Sequence, residues 1–108
     1  MPEFFPGDVV LAPVRFGGNS GVKTRPAVVL GSEGVFVKIC PVTSHLPRDC
    51  PLVALDLDDF EKGGLSLFDE SYILVNNITK IRKNEVVGKK GRLTPEKVSC
   101  ISSMITLR

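Results

Sequence analysis

Apolar positions fall in short clusters, and most of them follow the alternation of a strand. From Asp8 to Phe16, Val9, Leu11 and Pro13 alternate with Val10, Ala12 and Val14, so an extended segment would be apolar on both faces and packed on two sides. Pro13 points to an edge or a bulge, because proline donates nothing to a ladder. Phe16 to Thr24 then carries three glycines in nine residues, which predicts a long flexible loop. Arg25-Pro26 opens a short strand, Ala27 to Leu30, with Gly31 to Gly34 as its turn. Val35 to Val42 alternates again, and the polar run Thr43-Ser44-His45 falls where that strand should end, at a sheet rim.

Pro51 to Leu57 reads as a further strand and Asp58 to Gly64 as a turn or short helical turn. Ser71 to Asn76 and Ile78 to Arg82 read as two more β segments with a bend at Asn76-Asn77. The period changes only at the C-terminus. Thr94 suits an N-cap, Pro95 the first helical position and Glu96 the positive helix end, while Val98, Ile101 and Ile105 make an i, i+3, i+7 stripe. The pattern predicts a mainly β fold of about five or six short strands, a strongly bent antiparallel sheet or small barrel with one C-terminal helix packed on it.

Composition narrows this further. The 108 residues fit one domain spanning 1–108, without repeats or low-complexity segments. No apolar run approaches the roughly 18 to 20 residues of a membrane span, and the N-terminus has no basic stretch followed by an apolar one. A soluble, cytoplasmic protein is therefore expected. Cys40, Cys50 and Cys100 are odd in number and lack CxxC spacing, and His45 is the one histidine, so no disulfide framework, zinc site or multi-histidine metal centre is suggested. No metal and no cofactor is expected.

The formal charge of +2 names no partner, but its distribution is uneven. Asp56 to Glu70 holds six acids and one base, and Lys80 to Arg92 holds six bases and one acid. These are either two solvated stretches or a basic strip for phosphates with an acidic region that repels them. Dinucleotide, Walker, nucleophile-elbow, HExxH and CxxC signatures are all lacking. What remains is polar groups at strand rims: Arg25 at the foot of the glycine-rich loop, Thr43-Ser44-His45, and Asn76-Asn77.

Gly7-Asp-Val-Val-Leu11, Thr24-Arg-Pro-Ala-Val-Val-Leu30 and Cys40-Pro-Val-Thr-Ser44, in this order and spacing, resemble the MazF/PemK family of toxin endoribonucleases. Ser71-Tyr-Ile-Leu-Val75, Ile78-Thr-Lys-Ile81 and Leu93-Thr-Pro-Glu96 continue the resemblance over nearly the whole chain. It implies an SH3-like small barrel of the MazF/PemK/CcdB toxin type, a homodimer, metal-independent cleavage of single-stranded RNA at short motifs, and inhibition by a cognate antitoxin protein. It also implies that Arg25 and Thr43 are the catalytic residues.

The residues can be weighed by their chemistry as well. Cleavage of RNA without metal requires the 2′-hydroxyl to attack the adjacent phosphate, which demands proton transfer and charge neutralisation. An arginine offers a planar cation with several donors to a phosphate whose charge grows, and its permanent protonation makes it a stabiliser before it is a base. From the residue alone, Arg25 is equally a strand-start arginine paired with a carboxylate. The Thr43 hydroxyl can orient a phosphate or pass a proton, or it can cap a backbone turn after Pro41.

Ser44 is an RNA-contact candidate beside Thr43. Asn19, Ser20 and Lys23 in the glycine-rich loop and Asn76 at the bend are candidates for reading bases or holding phosphates. Phe16 is either a stacking surface or core. His45, with an imidazole that ordinarily titrates near 6.5, is either a base or a loop histidine.

Two departures from the family pattern bear on specificity. Leu74 and Asn76 stand where some members carry a catalytic arginine and aspartate, and the loop Gly18-Asn-Ser-Gly21 lacks the glutamate many relatives carry. They motivate an alternative, a catalytically inactive relative that binds RNA or a protein partner.

Overall fold

The computed structural model describes residues 4–15, 22–43, 52–55, 57–63, 71–74 and 78–106. Eight strands are found among them: β1 Asp8–Arg15, β2 Val22–Glu33, β3 Phe36–Thr43, β4 Leu52–Leu55, β5 Phe60–Gly63, β6 Ser71–Leu74, β7 Thr79–Arg82 and β8 Gly88–Leu93. Among the same described residues one α-helix, α1, spans Pro95–Thr106. The strands form one sheet in the order β4-β6-β3-β2-β1-β8-β5, with β7 also on β3, and every pairing is antiparallel. Besides β2, β3 pairs two further strands, its first half pairing β7 and its last residues pairing β6.

The two apolar faces of β1 become two cores. Val9, Val28, Cys40, Val42, Val53, Leu55 and Ile73 cluster with Leu93 and with Ile101 of α1 on one face. Val10, Ala12, Ala27, Val29, Val37 and Ile39 fill the other, where Phe4, Ile81 and Val86 close over them. A flat sheet covered by one helix could not bury both sides, so the strands curl around the second cluster. This is the bent sheet with one packed helix that the pattern predicts, and its small-barrel form.

Gly7 explains how β1 enters this arrangement. Its φ is +97°, and a Cβ there would lie 2.6 Å from Val98 Cγ2, so glycine meets both a left-handed backbone and the close approach of α1. Its N–H donates to Val29 O at 2.9 Å and its carbonyl accepts from Leu93 N at 2.9 Å, tying β2, β1 and the foot of the helix together. Thr94 caps α1 as expected, its Oγ1 accepting from Lys97 N at 3.3 Å. Val98 and Ile101 face the sheet, joined by Met104. The side chain of Ile105 lies outside the described residues.

Several expected boundaries shift. Val22, Lys23 and Thr24, read as loop, belong to β2, paired to Arg15, Val14 and Pro13. At the other end β2 continues through Gly31–Glu33: Leu30 is the extra residue of a bulge between Val29 and Gly31, Gly31 pairs with Lys38, and the turn moves to Gly34, whose φ is +59°. Pro13 sits in the portion of β1 beyond Leu11, where β8 no longer pairs, so its missing N–H costs no bond on that side. A 3₁₀ turn at Leu57–Asp59 is followed by β5, and β8 lies in the basic run; neither strand is marked by apolar alternation.

Candidate active site

β-sheet register assembles the candidate residues. Arg25 on β2 lies opposite Ala12 on β1. The β2–β3 ladder ends with Ala27 opposite Pro41, and two residues further along both strands are Arg25 and Thr43, which therefore prolong the same row. Thr43 in turn lies opposite Tyr72 on β6, and Tyr72 opposite Ala54 on β4. A polar row, Arg25, Thr43 and Tyr72, thus crosses three neighbouring strands between two alanines. It continues the face that carries the second apolar cluster, beyond the buried pair Ala27 and Pro41. Arg25 is exposed, and Thr43 and Tyr72 are half-buried.

This arrangement can hold an anion. A guanidinium with several donors stands at one end, and two hydroxyls, one aliphatic and one phenolic, continue the row. Ala12 and Ala54 occupy the two ends of the row. Tyr72 is the residue the linear reading passed over: its strand was visible in the alternation, but nothing local indicates that it comes to lie beside Thr43.

Of the other candidates, Lys23 lies on β2 opposite Val14, two residues before Arg25. Asn19, Ser20, Ser44, His45 and Asn76 lie outside the described residues, as does Phe16. Among the described residues no group of three or more His, Cys, Asp or Glu side chains comes together, and no helix is long and apolar enough to cross a membrane.

Among the described residues, the most buried charge lies elsewhere. Asp8 is 1% exposed. Its Oδ2 accepts from Phe5 N at 2.9 Å and faces Lys89 Nζ at 3.2 Å, while Oδ1 accepts from Arg92 Nε at 3.0 Å. Burial alone would raise the carboxyl, but the hydrogen bonds from Phe5, Arg92 and Lys89 and the Lys89 charge outweigh it and hold Asp8 below the usual carboxylate range. The basic run is thereby divided. Lys89 and Arg92 neutralise Asp8, and Lys80 turns to Glu33 at 3.9 Å and over the Phe36 ring at 5.0 Å. Cys40 is buried in the first cluster, which pushes its thiol up to about 12, and Cys100 is exposed on α1. The thiol of Cys40 is packing, not a nucleophile.

Fold and site together define a small antiparallel β scaffold with a polar row at one rim. Residues 5–107 match the PemK-like, MazF-like toxins of type II toxin–antitoxin systems, and the chain belongs to that family. Solved structures agree on the fold. The Mycobacterium tuberculosis toxin MazF-mt6 superposes with a TM-score of 0.69 at 18% identity, covering 93% of each chain. A chain of a MazE-MazF structure from Deinococcus radiodurans gives 0.66 at 18% identity, over 97% of this chain and 94% of that one. An endoribonuclease in complex with its cognate antitoxin from a mycobacterial species gives 0.61 at 16% identity, over 94% and 90%. No curated protein matches the chain.

Proposed function

We propose that this chain is a sequence-selective, metal-independent endoribonuclease that cleaves single-stranded RNA and acts as the toxin of a type II pair. What supports this reading is family membership over residues 5–107 together with a rim at which Arg25 and Thr43 both stand two residues beyond the Ala27–Pro41 pair that ends the β2–β3 ladder. The printed descriptions of similar structures support it: one is an endoribonuclease bound to its cognate antitoxin, another a MazE-MazF structure.

In the reaction the RNA 2′-oxygen forms a bond to the adjacent phosphorus as the bond from phosphorus to the 5′-oxygen breaks. The products are a 2′,3′-cyclic phosphate and a 5′-hydroxyl. Arg25 neutralises the non-bridging oxygens, whose charge grows as the five-coordinate state forms. The Thr43 hydroxyl orients the same phosphate and relays a proton, and the Tyr72 hydroxyl donates a hydrogen bond from the far side of Thr43. Asn19, Ser20, Lys23, Ser44 and Asn76 hold the flanking nucleotides. A homodimer presents the groove, and a cognate antitoxin protein occupies it when the toxin is silent.

The test is incubation of the purified protein with a long RNA of known sequence in EDTA, with the ends mapped and Arg25→Ala and Thr43→Ala run in parallel. Discrete cuts with 5′-hydroxyl ends, lost in both folded variants, are expected. A folded wild type that binds the RNA and leaves it intact would instead identify an inactive binding relative.

A further inference from the structure

Lys89 and Arg92 are three residues apart on β8, a spacing that on a regular strand sends side chains to opposite faces. Here Val9 lies opposite Gly91 and Val10 opposite Lys89, so Lys90 is the extra residue of a bulge. The bulge turns both Lys89 and Arg92 onto Asp8. Lys62 of β5 lies opposite Arg92 in the register and is exposed. Lys89 and Arg92 therefore meet on one carboxylate, with Lys62 on the strand beside them, and that carboxylate is buried beneath its two partners, so the charge these groups offer to solvent is positive.

An aromatic ring stands in the same place. Phe5 is 47% exposed, with Arg92 Cζ 5.6 Å and Lys89 Nζ 5.9 Å from its centroid. Its backbone N–H is fixed by Asp8, as are the heads of the two cations, so the group is ordered before any ligand arrives. An open ring flanked by cations suits a nucleobase and its phosphate together. An acidic peptide would use the cations alone. The group starts at Asp8, four residues along β1 from Ala12, the position opposite Arg25, or about 13 Å at strand rise.

We propose that Phe5, Lys62, Lys89 and Arg92 form a second contact for single-stranded RNA, remote from Arg25, in which a base stacks on Phe5 and the cations hold adjoining phosphates. This rests on RNA being the substrate. It gives length dependence: only an RNA that extends beyond the Arg25 rim reaches the second contact.

Phe5→Leu and Lys62→Gln test it, since both leave the Asp8 side-chain bonds in place. Binding is measured with a fluorescent, fully 2′-O-methylated twenty-nucleotide RNA, which lacks the attacking hydroxyl, and cleavage with unmodified long and short RNAs. Phe5→Leu is expected to weaken binding about 5- to 50-fold, and Lys62→Gln to reduce the slope of log K against log salt by about 0.7. Both should raise KM for the long RNA with kcat unchanged and leave the short RNA unaffected. An RNA carrying 5-iodouracil should crosslink to the peptide that contains Phe5.

Unchanged affinity and slope in both variants, with a wild type that cleaves RNA, would overturn the second contact alone. A wild type that neither binds nor cleaves RNA would overturn the endoribonuclease reading and this contact together. Loss of polyglutamate binding with RNA binding intact would reassign the patch to an acidic polypeptide and overturn the proposal.

Discussion

Arg92 Nε donates a 3.0 Å hydrogen bond to Oδ1 of Asp8, a carboxylate buried at the start of β1 and separated from it by 84 positions in the chain. This contact fastens β8, a strand with little apolar character, to the centre of the sheet. It also gives the Gly7-Asp-Val-Val segment a physical reading. Gly7 admits the helix, Asp8 binds the basic strand, Val9 enters one core and Val10 the other.

Acid stability should depend on Asp8. Its folded pKa is depressed, so its contribution is fully present above the unfolded value of about 3.9 and is lost as pH falls through the lower folded one. Asp8→Asn leaves two cations facing a neutral amide and should cost about 3 kcal/mol at pH 7. Urea unfolding as a function of pH checks this. The gap between wild type and variant should narrow below pH ~4, and a constant gap down to pH 2 would refute the assignment.

Gly7→Ala should destabilise by about 2–3 kcal/mol, combining the left-handed backbone with overpacking against Val98. Val98→Ala in the same chain should recover part of this and not all, because it relieves the contact but not the φ of +97°. A double-mutant cycle by denaturant unfolding measures the coupling; strictly additive effects would show that the close approach to Val98 contributes nothing.

At the rim, Arg25→Lys should retain charge but lose the forked donor geometry, lowering cleavage about 10²-fold, with Arg25→Ala lower still. Tyr72→Phe removes one hydroxyl from the row and should lower kcat about tenfold. Single-turnover cleavage of a mapped RNA site reads both. Wild-type kcat in Tyr72→Phe would remove that residue from the proposed chemistry.

Thiol chemistry should separate two cysteines. Cys100 is exposed and Cys40 is buried with its thiol pushed up to about 12, so iodoacetamide at pH 8 should label Cys100 in the folded protein and spare Cys40 until denaturant is added. Peptide mass mapping reports the two sites separately. Equal labelling would mean that the first core opens far more readily than its packing implies.

Much of this architecture is local information. Alternating apolar residues on both faces of Asp8–Arg15 dictate a strand buried on two sides, and Thr94, Pro95 and the Val98–Ile101 spacing dictate where the helix starts and which side it buries, because capping and periodicity act within a few residues. The ordered motifs around Gly7, Arg25 and Thr43 were enough to bring the family into view. Tertiary structure alone decided the rest. Gly88–Leu93 and Phe60–Gly63 have weak strand propensity and become strands because β1 offers an edge that β8 takes, and β8 then offers one to β5. The bulge at Lys90 and the meeting of Arg25, Thr43 and Tyr72 arise from register between strands distant in the chain. Register is set by how whole faces bury against each other, and no segment carries that information by itself.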